Sequence, residues 1–232
     1  MKKKFCIFSI ARSDYGILKN IIYKINKDKR FKPYIIIGGS HFSEVFGNTF
    51  KEIKKDRVKN IIKISKNYNL SSNIGILSNF EFTFDSIKKF YKKNKIDGCL
   101  ILGDRYEMLA AALVSFQFKV PIFHLCGGSI TSGSLDNTYR NIISNMSHTH
   151  FVETSHHKKQ LQKMNIKKNI FISGSPSLEV KNSKLINKQE FEKIYNFKFR
   201  YKKTVVASYH PETTKPVQDN LRDLKVLVNF LK

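Results

Sequence analysis

The amino-acid sequence predicts an α/β fold built on a parallel sheet. Short, continuous apolar runs of strand length alternate with longer amphipathic segments along most of the chain, which is the pattern of repeated strand and helix units. Several apolar runs end in polar residues and glycine, where a chain turns sharply. With 232 residues, 41% of them hydrophobic, the chain can bury one complete α/β core and begin a second.

Seven apolar runs predict strands, near residues 4–10, 33–38, 60–64, 98–102, 120–125, 149–153 and 169–173. The amphipathic segments between them predict helices, near residues 15–27, 42–55, 80–94, 105–117, 136–147 and 155–164. The first apolar run follows three lysines and stops at Arg12. Because it is short and lacks a small-residue cleavage site, it favours a first strand over a secretion signal.

The chain is predicted to divide at residue 178. Residues 1–178 form the first lobe, and residues 179–203 form a connection that is rich in basic residues and has no clear period. Residues 204–232 begin a second lobe, with a buried strand over Thr204–Ser208 and a helix from about Thr214 to the terminus. One strand and one helix cannot bury a core of their own, so the sequence predicts that the chain stops just inside a second domain.

The formal net charge is +24, from 42 basic and 18 acidic residues. Such a charge raises the question of a nucleic-acid or membrane partner. The lysines, however, are spread along predicted helix surfaces, and no arginine-rich arm, nucleic-acid motif or membrane span is present in the sequence. We therefore interpret the charge as a solvated surface and expect neither partner.

The three cysteines, Cys6, Cys99 and Cys126, lie in or just after apolar runs. They have no metal-ligand spacing, so they are interpreted as reduced packing residues of a cytoplasmic protein. We expect neither a metal ion nor a cofactor.

The best candidate site residues follow the predicted strands. In an open parallel α/β sheet, the carboxyl ends of the strands face the ligand crevice. Asp104 follows one buried run and is either a helix N-cap or a proton-transfer group. Arg12 follows the first run, where the glycines of a dinucleotide loop are missing, and is either a phosphate ligand or a surface residue. His41 follows the second run and is either a hydrogen-bonded capping residue or a substrate contact.

Three further positions are candidates by the same reasoning. The small-residue loop that contains Ser129 could let backbone N–H groups approach an anion. Asp136 and Arg140 share a helical face at i, i+4, which by itself predicts a weak surface ion pair. His210 follows the late apolar run and precedes a proline.

These residues lie within a series of short sequence blocks, which are Arg12-Ser13-Asp14-Tyr15-Gly16, Gly39-Ser40-His41-Phe42-Ser43, Leu102-Gly103-Asp104-Arg105-Tyr106-Glu107, His124-x-x-Gly127-Gly128, Asp136-x-x-x-Arg140, Ser147-His148-x-His150-Phe151, Gly174-Ser175-Pro176 and His210-Pro211. In this order, the blocks resemble those of the hydrolysing UDP-N-acetylglucosamine 2-epimerases, in the branch that serves sialic, legionaminic and related nonulosonic acids.

The resemblance implies a Rossmann-like first lobe of a GT-B-like, two-lobed fold that binds a UDP-linked N-acetylhexosamine between the lobes. It implies elimination of UDP across C1–C2, followed by hydration to the 2-epimerised free sugar. The site residues that it implies fall into a catalytic set and a substrate-binding set: Asp104, Asp136 and His210 in the first, and Arg12, His41, Ser129 and Arg140 in the second.

Two departures from the family pattern bear on activity. Ser129 occupies a position where the sialic-acid branch usually has glutamate, and most of the second lobe is missing from the sequence. The alternative hypothesis is therefore a non-catalytic or split-enzyme lobe that binds a nucleotide sugar or a complementing C-terminal fragment. A homo-oligomer is a further possible assembly.

Overall fold

The computed structural model describes residues 1–45, 47–64, 72–178, 186–200, 204–212 and 215–231. Contacts between Cα atoms group the chain into two units. The first unit comprises residues 1–132 and 136–178, and the second comprises residues 133–135 and 179–232. The division between lobes at residue 178 remains a prediction.

The first unit contains a seven-stranded sheet in the order β3-β2-β1-β4-β5-β6-β7. Every neighbouring pair is parallel, which confirms the predicted fold class. The strands are β1 (Lys3–Ser9), β2 (Phe31–Ile37), β3 (Ile61–Lys63), β4 (Gly98–Leu102), β5 (Ile122–Leu125), β6 (Thr149–Val152) and β7 (Ile170–Ile172). The strand order reverses between β1 and β4, and in such sheets the ligand crevice lies beyond the carboxyl ends at this point.

In the part of the chain that is described, the α-helices between these strands are α1 (Arg12–Lys27), α2 (Phe50–Lys55), α3 (Asn73–Lys93), α4 (Tyr106–Gln117), α5 (Asp136–Met146) and α6 (Ser155–Lys163). The predicted continuous helix over 42–55 is wrong. A 3₁₀ turn, Gly39–Phe42, comes first, and α2 begins only at Phe50. Gly47 and Asn48 lie between them with φ of 83° and 43°, and these left-handed conformations do not fit a right-handed helix.

Helix α3 begins earlier than the predicted residue 80. Ser72 caps it, because its Oγ accepts the backbone N–H of Gly75 at 3.1 Å. Serine is a favoured N-cap residue, since its hydroxyl satisfies an N–H group that has no partner within the helix.

The core lies on both faces of the sheet, and neighbouring residues of β1 contribute to opposite faces. Phe8 packs with residues of α3, α4 and α5, whereas Ile7 packs with residues of α1 and α2. Because both faces are covered, the central strands are continuously apolar, and this is why their positions could be predicted. Cys6 and Cys99 are register partners on β1 and β4, both buried and both free thiols.

The second unit contains α7 (Lys188–Tyr195) and α8 (Val217–Phe230). Helix α7 lies within the connection between the lobes, whose sequence shows no clear hydrophobic period. Asn187 and Glu190 cap this helix through a reciprocal pair of hydrogen bonds. Residues 179–185 and 201–203 of that connection lie outside the described residues, as does Thr214, the predicted start of α8.

The predicted buried strand over Thr204–Ser208 is wrong. The segment is not paired with another strand in the part of the second unit that is described. Val205 and Val206 are 76% and 91% exposed. An apolar run forms a buried strand only when a neighbouring strand and a covering layer are available. The helices in the described part of the chain include none with the length and hydropathy of a transmembrane segment.

Candidate functional site

The turn after β1 is fixed by Asp14. Its carboxylate oxygen accepts the backbone N–H groups of Ile10 and Ala11, both at 2.9 Å. The carboxyl group is buried, and burial raises its pKa even though these hydrogen bonds act in the opposite sense. The bonds hold the start of α1 against the end of β1. Arg12 is the first residue of this helix and is exposed. The partial positive charge of a helix N-terminus favours anions at this position.

The turn after β4 is held by Arg140 from α5. The guanidinium forms an ion pair with Asp104 through Nη2, and Nη1 donates to the carbonyl oxygen of Ser129 at 2.7 Å. Both Nη atoms also lie 3.1 Å from the hydroxyl of Thr131. Arg140 is 7% exposed. One buried side chain thus joins the end of β4 to the loop after β5.

The i, i+4 spacing of Asp136 and Arg140 predicts a weak surface ion pair between them, and the structure adds an ion pair between Arg140 and Asp104 that the spacing does not indicate. Asp136 is the first residue of α5 and is half-buried. The carboxylate of Asp104, in the turn after β4, is oriented by Arg140 from α5.

Arg105 and Glu107 form a second pair beside Asp104. Arg105 donates from Nε and Nη2 to the two carboxylate oxygens of Glu107, each at 3.2 Å. The side chain of Glu107 is 0% exposed, whereas that of Arg105 is 33% exposed. Burial, and then the nearby carboxylates of Asp14 and Asp136, raise the pKa of Glu107 to about 8.

Two buried histidines support the same edge of the sheet. His124 Nε2 lies 2.8 Å from the carbonyl oxygen of Gly103, and Nδ1 lies 3.1 Å from the hydroxyl of Ser144. Because a carbonyl oxygen can only accept, Nε2 carries the proton, and in the neutral ring Nδ1 accepts from Ser144. Burial lowers the pKa of His124 to about 4. The ring therefore holds the left-handed Gly103, which precedes Asp104.

His41 has a different environment from the one predicted for a substrate contact. It is fully buried, and its ring nitrogens lie 2.9 Å from the hydroxyl of Ser9 and 2.7 Å from that of Thr49. Burial lowers its pKa to about 4. These contacts agree with the capping alternative, and a direct role of His41 in binding remains a prediction.

Replacing His124 with glutamine is expected to reduce the sensitivity of the protein to acid. Because the pKa of His124 is about 4 when folded and near 6.5 when unfolded, protonation between these values favours the unfolded state. The stability that this residue contributes is complete above about pH 6.5 and is lost as the pH falls. The difference in unfolding free energy between wild type and His124→Gln should shrink by about 1–2 kcal/mol from pH 7 to pH 5 in urea titrations.

His156→Gln, which changes an exposed histidine, provides the matched control, and its unfolding free energy is measured over the same range. Glu107, whose pKa is raised, changes stability in the opposite sense over this range, so only the comparison between variants isolates the histidine. A constant difference for His124→Gln would contradict the expectation.

The remaining predicted site residues lie in separate surroundings. Ser129 is half-buried in the loop after β5. His210 belongs to the second unit, where it is exposed and its Nε2 lies 3.1 Å from the hydroxyl of Ser208. The other candidates follow strands of the first unit, so they lie at the carboxyl ends of its sheet. This group comprises Arg12, Asp104, Ser129, Asp136 and Arg140. Their roles remain predictions.

Three supporting residues were not selected from the sequence as site residues. Arg105, Glu107 and His124 appear in the sequence analysis only as members of the motif blocks. The available signal was the presence of charged or ionisable side chains directly after, or at the end of, a fully apolar strand. Such groups are buried only when they have a partner.

Comparison with known proteins agrees with this architecture. The sequence profile of the UDP-N-acetylglucosamine 2-epimerase family matches residues 23–232. The Campylobacter jejuni protein named GDP/UDP-N,N'-diacetylbacillosamine 2-epimerase (hydrolyzing) is 35% identical over 236 residues, covering 99% of this chain and 60% of that protein. The Legionella pneumophila UDP-N,N'-diacetylbacillosamine 2-epimerase (hydrolyzing) is 32% identical over 216 residues, covering 91% and 56%.

Solved structures share the fold. The UDP-GlcNAc 2-epimerase from Neisseria meningitidis, whose structure was solved bound to UDP-GlcNAc, superposes with a TM-score of 0.67 at 18% identity, covering 84% of this chain and 54% of that one. This chain spans about 60% of the length of the first curated relatives that it matches. Because the family profile covers most of the sequence, the chain belongs to the UDP-N-acetylglucosamine 2-epimerase family.

Proposed function

We propose that this chain provides the first lobe of a hydrolysing 2-epimerase that acts on a UDP-linked N-acetylhexosamine, either UDP-N-acetylglucosamine or a diacetamido relative. The observation that carries the proposal is the Asp104–Arg140 ion pair, which follows β4 at the reversal of the strand order. The names of the curated relatives support the hydrolysing reaction and a UDP-linked, 2-acetamido sugar.

In the proposed reaction, a base removes the C2 proton while the bond from C1 to the UDP oxygen breaks. The products of this step are a 2-acetamidoglycal and UDP. Water then adds its hydroxyl to C1, and a proton reaches C2 from the opposite face. The net change is one substrate and one water converted to UDP and a 2-epimerised free sugar. This chemistry requires acid and base groups at C2 and cations at the leaving diphosphate.

We assign the proton transfers to Asp104, Asp136 and His210. Arg140 fixes the direction of the Asp104 carboxylate, and its bonds to the Ser129 carbonyl and to Thr131 fix the loop beside it. A group held by several partners transfers protons efficiently because it needs little reorganisation in the transition state.

We assign the diphosphate to Arg12 and Arg105. Arg12 is exposed at the N-terminus of α1, and Arg105 is partly exposed after β4. Arg12 follows β1 and Arg105 follows β4, and these two strands are neighbours at the point where the strand order reverses. Guanidinium groups bind phosphate oxygens through paired N–H donors, and a helix N-terminus adds further attraction. His41 is buried next to this region and would stabilise it through its contacts with Ser9 and Thr49.

The second candidate is a lobe without chemistry, which binds the nucleotide sugar or a complementing C-terminal fragment. Ser129 favours this alternative, because a serine cannot serve as a base near neutral pH in place of a carboxylate. In this alternative, the lobe would assemble with that fragment or form a homo-oligomer. The free, buried thiols of Cys6 and Cys99 support a cytoplasmic location.

Replacing Asp104 with asparagine is expected to lower the rate of UDP release by about 10²–10⁴-fold, because the variant loses a positioned acid/base group. If the missing carboxylate at position 129 limits the rate, Ser129→Glu should raise it. Purified protein would be incubated with UDP-N-acetylglucosamine and with its diacetamido analogue, and proton NMR would follow UDP and the free sugar.

Asp85→Asn, which alters an exposed carboxylate on α3, is the matched control and should keep the wild-type rate. Wild-type turnover retained in Asp104→Asn would contradict the catalytic assignment. Nucleotide-sugar binding without any turnover, in wild type and in Ser129→Glu, would favour the second candidate.

A further inference from the structure

The two members of the Arg105–Glu107 pair differ in their exposure to solvent. Glu107 is completely buried in the first turn of α4, whereas Arg105 precedes the helix and is one-third exposed. The two hydrogen bonds use Nε and Nη2 of Arg105, which lie along one edge of the guanidinium. Because the group is planar and its donors have fixed directions, a partner that holds this edge also determines the direction of the edge that carries Nη1.

We propose that Glu107 is a positioning residue that aims the Nη1 edge of Arg105 at an anionic oxygen in the crevice, and that its ionisation sets the net positive charge of this part of the crevice. The proposal rests on the proposed function for the identity of the anion, the diphosphate of a nucleotide sugar. Glu107 itself does not contact solvent, so it acts through Arg105.

Three charged groups surround Glu107. They are Arg105 from the turn after β4, Asp14 from α1 and Asp136 from α5. Burial, and then the two carboxylates, raise the pKa of Glu107 to about 8, while a hydrogen bond from its own backbone N–H acts in the opposite sense. Near neutral pH, Glu107 is therefore mostly a neutral acid whose oxygens still accept from Arg105.

The charge of this pair changes with pH in a defined direction. Below about pH 8, the positive charge of Arg105 is not cancelled by its buried partner, and it attracts an anion in full. As the pH rises through this value, Glu107 loses its proton and neutralises the pair. The affinity for a diphosphate should therefore decrease with rising pH, over a range in which the phosphate groups of UDP are already ionised.

The test measures the dissociation constant of UDP by calorimetry between pH 7 and pH 9. For wild type we expect binding to weaken by about fivefold across this range. Glu107→Gln should bind about threefold more weakly at pH 7, because its amide nitrogen cannot accept one of the two bonds, and its affinity should not depend on pH. Glu81→Gln, the same change at an exposed position on α3, should keep the wild-type affinity and profile.

A ligand-independent measurement separates this inference from the proposed function. NMR would follow the side-chain carboxyl carbon of Glu107 and the Nε–H group of Arg105 in the free protein. We expect the carboxyl carbon to titrate near pH 8, the Arg105 signal to shift with it, and the shift to vanish in Glu107→Gln. Titration of Glu107 below about pH 6, near the value for an exposed glutamate, or an Arg105 signal that ignores Glu107→Gln, would overturn the inference. Absence of UDP binding with the NMR result intact would refute only the proposed function.

Discussion

Replacing Arg140 with methionine is expected to lower the free energy of unfolding by about 3 kcal/mol, because it removes one partner of a buried ion pair. The variant keeps much of the side-chain volume but leaves Asp104 without its guanidinium. It also leaves the carbonyl oxygen of Ser129 and the hydroxyl of Thr131 without a donor that they have in wild type. Urea unfolding at pH 7, monitored by circular dichroism, measures the change.

An exposed arginine provides the control. Arg30 forms an ion pair with Asp28, but its side chain is 82% exposed, so Arg30→Met should leave the midpoint of unfolding nearly unchanged. Arg140→Lys should fall between Arg140→Met and wild type, because an ammonium group restores the charge but not the planar fork. Equal effects of Arg140→Met and Arg30→Met would show that the buried pair contributes no more than a surface pair.

Replacing Gly128 with alanine is expected to destabilise the protein by about 3 kcal/mol. Gly128 has φ of 78°, a left-handed conformation that costs an L-residue about 1–2 kcal/mol. A Cβ atom at this position would also overlap the backbone carbonyl of His157 at the start of α6. Backbone cannot move aside as a flexible side chain can, so relief of the overlap adds about 1–3 kcal/mol.

The same substitution at Gly16 is the matched control. Gly16 lies in the first half of α1, and a Cβ atom there meets nothing within 4 Å. Gly16→Ala should stabilise the protein by about 0.5–1 kcal/mol, since alanine is the better helix former. Thermal unfolding of both variants checks the pair, and a midpoint for Gly128→Ala equal to that of wild type would refute the steric argument.

The strands could be predicted because burial on both faces leaves a strong local signal. Continuous apolar runs such as the one in β4 become strands wherever a layer covers each face of the sheet. The run over Thr204–Ser208 has the same local signal but no neighbouring strand among the described residues, and it forms no strand. Hydrophobicity therefore identified segments able to form a strand, while pairing decided which of them did.

The positions of the candidate site residues could be predicted from the rule that ligands bind at the carboxyl ends of parallel strands. The side chains with which these residues interact could not be predicted in this way. The sequence spacing related Arg140 only to Asp136 within one helix, and it did not indicate the ion pair of Arg140 with Asp104, which lies before α4 and β5. Likewise, adjacency placed Arg105 near Glu107 without showing that Glu107 is buried. Contacts between distant parts of the chain depend on how the helices pack, and a local pattern does not record this.

The contact between Asp104 and Arg140 also bears on the order in which the crevice can form. A chain is synthesised from its N-terminus, and the turn after β4 leaves the ribosome before α5 does. That turn therefore exists for a time without the guanidinium that fixes it. Residues up to Leu102 can begin to form a sheet during synthesis, but the Asp104 carboxylate takes its final direction only after α5 has docked. This edge of the sheet is therefore completed later than the strands that carry it.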